Sequence, residues 1–171
     1  MEQNTAHTAR VIGRDLFIST RHAIEITRCI RGKNLRKSKA LLQRVLDKKE
    51  AVPFLRHDQD IPHRPGRIMA GRYPEKATKM ILSLLNSVEA NAQNNGLDTE
   101  NLVIKSIIPN RASRPYRSGR IRGIRTRSTH IEVVVEEKET KKERQPQKKQ
   151  QTQQKEVKQE QNKVSKEGVK K

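Results

Sequence analysis

Residues Leu102 to Glu137 read LVIKSIIPNRASRPYRSGRIRGIRTRSTHIEVVVEE, and this stretch decides the fold class. Its first part, Leu102-Val103-Ile104 through Ile107-Ile108, is apolar and β-branched. Its last part alternates Ile131, Val133 and Val135 against Glu132, Val134 and Glu136. Both are strand patterns. Between them stand Arg111, Arg114, Arg117, Arg120, Arg122, Arg125 and Arg127, with no lysine and no acid, and Gly119 lies near the middle. The economical arrangement is an antiparallel hairpin over residues 103–135 that turns near Gly119. Arms of about 15 residues, at roughly 3.3 Å per residue, reach about 50 Å, further than a small body covers. The distal part is therefore expected to project into water or into a partner, and Pro109 and Pro115 interrupt ordinary ladder pairing there.

Working outward, the spacing predicts three helices. Ser19 or Thr20 caps the first, where Ala23, Ile26 and Ile30 recur before Gly32. Asn34 caps the second, whose stripe is Leu35, Ser38, Leu41, Leu42, Val45 and Leu46, with Lys48 and Lys49 suited to its negative end. The third opens at Pro74 and Glu75, closes at Gly96, and carries Ala77, Ile81, Leu84, Leu85, Val88 and Ala92 on one face. Leu16-Phe17-Ile18 is the candidate third strand. The expected fold class is α+β: three helices packed on a small three-stranded antiparallel sheet, with a long protruding β-hairpin and a disordered basic C-terminal tail.

The whole chain has 171 residues, 38 Lys or Arg against 19 acids, and only four aromatic residues. A net charge of +19 opposes compaction unless a polyanion neutralises it. The stretch 138–171 holds 12 basic residues, 5 Glu and 8 Gln, with Val157, Val164 and Val169 as its only apolar side chains. Such a segment cannot bury enough surface to offset the entropy of ordering, so it reads as a solvated tail or as a helix formed only on RNA. Residues 1–9 read as a flexible N-terminus and 10–137 as the domain, which retains 26 basic residues against 14 acids. No apolar run approaches the roughly 18 residues of a membrane span, and the polar start lacks a signal peptide's apolar stretch. The single cysteine, Cys29, excludes an intramolecular disulfide and lies on a helical stripe, where a buried thiol is the ordinary reading.

Seven arginines without lysine select for planar guanidinium groups, which fork onto phosphate oxygens and stack on bases. Tyr116 adds a stacking face. The segment Arg56 to Arg72 has no periodicity, is rich in Pro and Gly, and reads as a loop of 17 residues. Its Arg67 and Arg72 are candidates for a second RNA-facing surface. His57, Asp58, Asp60 and His63 make the one enzyme-like cluster, but their spacing matches no metal-ligand motif. No phosphate-binding glycine loop or paired-carboxylate site is evident, so neither enzyme activity nor a cofactor is expected.

Three runs carry a resemblance: STRHAIEITRCIRGKNLRKSKALLQRVLDKKEAVPF from Ser19, GRYPEKATKMILSLLNSVEANAQNNGLD from Gly71, and HIEVVVEEKE from His130. Within them the pieces are Val52-Pro53-Phe54, Glu89-Ala90-Asn91-Ala92 before Gly96-Leu97-Asp98, and His130-Ile131-Glu132. In order and spacing the chain resembles the universal large-subunit ribosomal protein twenty-two family (seventeen in the older eukaryotic scheme), in its archaeal and eukaryotic branch. The resemblance implies a small α+β body near the exit of the peptide tunnel and a hairpin running into large-subunit RNA. It places Arg111 to Arg127 with Tyr116 on that hairpin, and Arg117, Ser118, Gly119 and Arg120 at the tip on the tunnel wall. It places Arg36 and Lys37 at the RNA-facing start of the second helix. The tip is several residues shorter than is usual in the family, and the Lys/Gln-rich tail has no counterpart there.

The expected function is thus a structural constituent of the cytoplasmic large subunit that binds rRNA of several domains, supports assembly and lines the exit tunnel. Neighbouring ribosomal proteins, the nascent chain and exit-site factors are the further partners implied; no membrane and no homo-oligomer are expected. The rival readings are a free RNA chaperone or assembly factor, and a metal-dependent nuclease using the histidine-aspartate loop.

Overall fold

Central to the sheet is the strand that the alternation of Ile131, Val133 and Val135 predicts. The computed structural model describes residues 7–57, 60–66, 68–120 and 122–138. In chain order these form β1 (Thr8–Leu16), α1 (Thr20–Ile30), α2 (Leu35–Leu46), β2 (Val52–Pro53), β3 (Gly71–Arg72), α3 (Glu75–Asn94), β4 (Leu102–Arg111) and β5 (Thr129–Glu137). The main sheet has the antiparallel order β1-β5-β4, and β2 and β3 form a separate two-stranded pair. The chain divides into two units, Met1–Glu137 and Lys138–Lys171. The expectations for residues 1–6 and for the tail beyond Lys138 lie outside the described residues.

Alternation explains why β5 takes the middle. Ile131, Val133 and Val135 are fully buried under the helices, while Glu132, Val134 and Glu136 line the opposite face. β4 poses a problem of period: Ile104 and Ile107 are both buried, yet three residues apart rather than two or four. A bulge solves it. Ile104 pairs with Val135 and Ser106 with Val134, so the extra Lys105 is left over and Ile107 returns to the core side. Lys105 then reaches Glu136, at 3.0 Å. Pro109 is accommodated because β4 is an edge strand.

The third strand is not Leu16-Phe17-Ile18 but β1, which ends where that stretch begins and starts at Thr8, two residues ahead of the expected domain boundary. Its inward positions, Ala9, Val11 and Gly13, are small, and the exposed Arg10 and Ile12 between them blur the alternation, so it carries little apolar signal. Gly13 has a packing reason: a Cβ there would stand 2.9 Å from Leu84 of α3. Asp15, with φ 51°, and an irregularity between Gly13 and Leu16 then release the chain from the sheet. Phe17 is left on the surface and Ile18 enters the core.

All three helices form where the periodicity predicts. Asn34 accepts the N–H of Arg36 at 2.9 Å, as an N-cap does. α3 closes with Gly96 at φ 74°; Gly96 and Leu97 donate to the carbonyls of Gln93 and Ala92, at 2.9 and 3.0 Å. α2 closes in the same way, but with Lys48 in the left-handed position at φ 59°. Lys48 and Lys49 thus lie just past the last turn.

Both sheet edges are covered. Gly32 and Lys33, between α1 and α2, exchange backbone hydrogen bonds with Ile104 on β4. Asn91 of α3 and Asn95, which caps its C-terminal end, donate to the carbonyls of Arg10 and Thr8 on β1, at 3.2 and 3.4 Å. Lys39 of α2 pairs with Glu89 of α3.

The segment Arg56–Arg72, read as a loop without structure, is tied down at both ends. Val52 and Pro53 pair with Arg72 and Gly71. At the near end the Glu25 carboxylate, 1% exposed on α1, accepts the N–H groups of Leu55, Arg56 and His57 at 3.2, 3.0 and 2.9 Å.

Candidate nucleic-acid interface

The paired strands of the hairpin run from Leu102 opposite Glu137 to Arg111 opposite Thr129. Regular pairing therefore covers ten residues of one arm and nine of the other, fewer than the 15 or so expected. Beyond it the arms stay side by side through scattered bonds. Ala112 donates to Ser128 at 3.2 Å, Thr126 to Pro115 at 2.9 Å, and Arg117 to Ile124 at 3.0 Å. Gly119 takes φ 84° at the tip, a left-handed turn position that glycine tolerates without strain.

This distal part does not stand clear of the body along its whole length. Arg117 and Ile124 to Arg127 border an open cleft of about 600 Å³ whose other side is Phe17, Ser19 and Lys76, at the N-terminal ends of α1 and α3. Ser118, Gly119, Arg120 and Arg122 are exposed.

Arg111, Arg117, Arg120, Arg122, Arg125 and Arg127 are exposed, and Arg114 is half-buried. Among the described residues no acid pairs with any of the seven. The Nε of Arg114 is buried without a hydrogen-bond partner. Arg125 lies 4.6 Å over the ring of Tyr116 and donates to its hydroxyl at 2.6 Å, so Tyr116 holds one guanidinium in place as well as offering an aromatic surface. Unneutralised charge at this density repels itself and favours any polyanion that separates the arginines.

The other predicted contacts lie apart from this group. Asn34, next to Arg36 and Lys37, bridges to Val103 at the far end of β4, roughly 25 Å of strand from Arg111. Arg36 also faces Glu100 at 3.6 Å, while Lys37 is exposed. Arg72 lies in β3, and Arg67 falls outside the described residues. The hairpin thus gathers Arg111 to Arg127 and brings none of Arg36, Lys37 or Arg72 into that group. Sequence reasoning overlooked Phe17 and Lys76, which reach the hairpin only through the fold.

Against known proteins, the family described as "Ribosomal protein L22p/L17e" matches residues 11–136. The chain belongs to that family. The match begins inside β1 and ends inside β5, so it takes in every helix and the whole arginine hairpin. Relatives named "Large ribosomal subunit protein uL22" include one from Nanoarchaeum equitans, 45% identical over 138 residues, or 77% of this chain and 79% of the relative. A second, from Methanopyrus kandleri, is 45% identical over 146 residues, covering 80% of this chain and 91% of the relative. A third, from Methanococcus aeolicus, is 41% identical over 144 residues, covering 80% and 94%.

Of the enzyme-like cluster, His57, Asp60 and His63 are described. Asp58 falls outside the described residues, and among those described no group of three or more His, Cys, Asp or Glu is placed to hold a metal ion. The N–H of His57 is taken by Glu25, and its Nε2 is buried without a partner. His22 packs edge-on against Phe54, with ring centroids 5.5 Å apart, and His130 accepts the N–H of Asp15 at 3.0 Å. Cys29 is half-buried, and that burial pushes its thiol pKa up, with Lys33 opposing and Glu50 adding.

Proposed function

We propose that the chain is a structural component of the large ribosomal subunit that binds large-subunit RNA through its hairpin. The observation that carries this reading is a run of seven arginines without an acidic partner among the described residues, on a two-stranded arm of a family whose relatives are named for that subunit. Affinity comes from arginine-phosphate pairs and the release of counterions, and the folded body selects the position. Arg117, Ser118, Gly119 and Arg120 form the exposed tip and line the nascent-peptide exit tunnel. Arg36 and Lys37 make a second RNA contact at the start of α2. Neighbouring ribosomal proteins are the remaining partners, in the cytoplasm.

Sedimentation of the tagged chain through a high-salt sucrose gradient tests this reading. Recovery at about one copy per large subunit is the expected result. Release of the whole population into the light fractions would favour a free RNA chaperone or assembly factor instead.

A further inference from the structure

We infer that the cleft between the hairpin and the N-terminal ends of α1 and α3 is a binding site for a single unstacked nucleotide. The inference deepens the RNA-binding reading and rests on it for the source of that nucleotide. Three features of the cleft meet in this one ligand class.

The first is charge. Lys76 comes from the first turn of α3, and Arg117, Arg125 and Arg127 come from the two arms of the hairpin. Among the described residues, none that lines the cleft is acidic. Arg125 is already engaged by Tyr116, which leaves Lys76, Arg117 and Arg127 as the cations lining the cleft for an anion to meet. Lys76 lies some forty positions before Arg117, so its convergence with the hairpin arginines is produced by the fold and not by their local run of charge.

The second is the helix ends. Ser19 and Ala77 put the starts of α1 and α3 at the same cleft. α3 carries Glu75 in its first turn, whereas α1 has no acid there and no side-chain cap bond from Ser19, so the positive end of α1 is the one not neutralised from within the helix.

The third is an apolar wall. Phe17 and Ile124 both line the cleft, 59% and 50% exposed. Phosphate alone has no use for them, whereas a base stacks on an aromatic face while its phosphate meets the cations. A volume of about 600 Å³ suits a ligand of that size.

The test is a titration of the full chain at low salt, followed by backbone amide shifts, with adenosine 5′-monophosphate, adenosine and inorganic phosphate as separate probes. The expected result is a saturable shift at Ser19, Ala77 and Thr126 with the monophosphate, and much weaker binding of each component alone. Phe17→Ala, at an exposed position, weakens the monophosphate about tenfold and leaves inorganic phosphate unchanged. Lys76→Gln weakens both phosphate-bearing probes. Shifts that match those of inorganic phosphate, or that spread along Arg111–Arg122 and survive Phe17→Ala, would overturn the site.

A trinucleotide that displaces the monophosphate identifies the ligand as part of an RNA strand. A site that takes the monophosphate and refuses the trinucleotide identifies a free nucleotide. Arg120→Gln with Arg122→Gln weakens binding of a large-subunit RNA fragment without altering the monophosphate shifts. Failure of the pocket and failure of the hairpin reading are thereby told apart.

Discussion

The Glu25 carboxylate, buried on α1, accepts the backbone N–H of His57 at 2.9 Å and so binds a helix to a loop 32 residues downstream. The same group takes the N–H of Leu55 and of Arg56. Three part-buried donors are thus satisfied by one side chain. Removing it takes three charge-assisted hydrogen bonds from the loop, each contributing about 1–3 kcal/mol. Glu25→Ala is expected to lower stability by about 3 kcal/mol, read as a shift of the urea midpoint with little change in slope. Glu25→Gln recovers only part, since its NH2 group faces a donor.

The ends of α2 and α3 provide a paired backbone test. Gly96, at φ 74°, has no neighbour within 4 Å of a built Cβ, so Gly96→Ala costs only backbone strain, about 1 kcal/mol. Lys48 carries that strain in the native chain, at φ 59°. Lys48→Gly is expected to raise stability by about 0.5 kcal/mol, after losing an exposed ion pair with Glu75 that contributes little. Thermal unfolding of both variants checks the opposite signs.

Gly13 faces the terminal carbons of Leu84 and Leu16, at 2.9–3.1 Å from a built Cβ. Because those atoms end flexible side chains, Gly13→Ala is tolerated at about 1 kcal/mol or less. Gly13→Val forces α3 from the sheet and costs about 2 kcal/mol. Chemical denaturation of the two variants should return that order.

The hairpin arginines predict a salt dependence. Each arginine neutralised in the tip, such as Arg120→Gln or Arg122→Gln, should reduce the slope of log affinity for large-subunit RNA against log salt by about 0.7–0.9. Unchanged slopes in both variants would place the RNA contacts elsewhere.

Burial holds the Cys29 thiol protonated above its ordinary range. The native state therefore favours the neutral thiol. That contribution is full below the ordinary thiol pKa and is lost as pH rises through the raised value. Iodoacetamide should modify native protein slowly at pH 8 and unfolded protein quickly, with the native rate rising only at higher pH.

The sequence by itself determined the three helices, because α1, α2 and α3 each carry an apolar stripe of helical period, with local start and stop signals such as the cap Asn34 and the glycines Gly32 and Gly96. It determined β4 and β5 by their β-branched pattern, and it marked the arginine segment between them, because an absence of acids is visible without coordinates. Tertiary structure decided the rest. β1 is a strand because the edge of β5 is open to it, although its inward residues Ala9, Val11 and Gly13 bury little surface of their own. Glu25, a carboxylate on α1, is buried because a loop from beyond β2 closes over it and donates to it. The cleft joins Phe17, Lys76 and Arg117 from three distant parts of the chain. Periodicity and charge runs are local and can be read in order; edge pairing, buried satisfaction of N–H groups and convergence of distant side chains arise only when the chain packs.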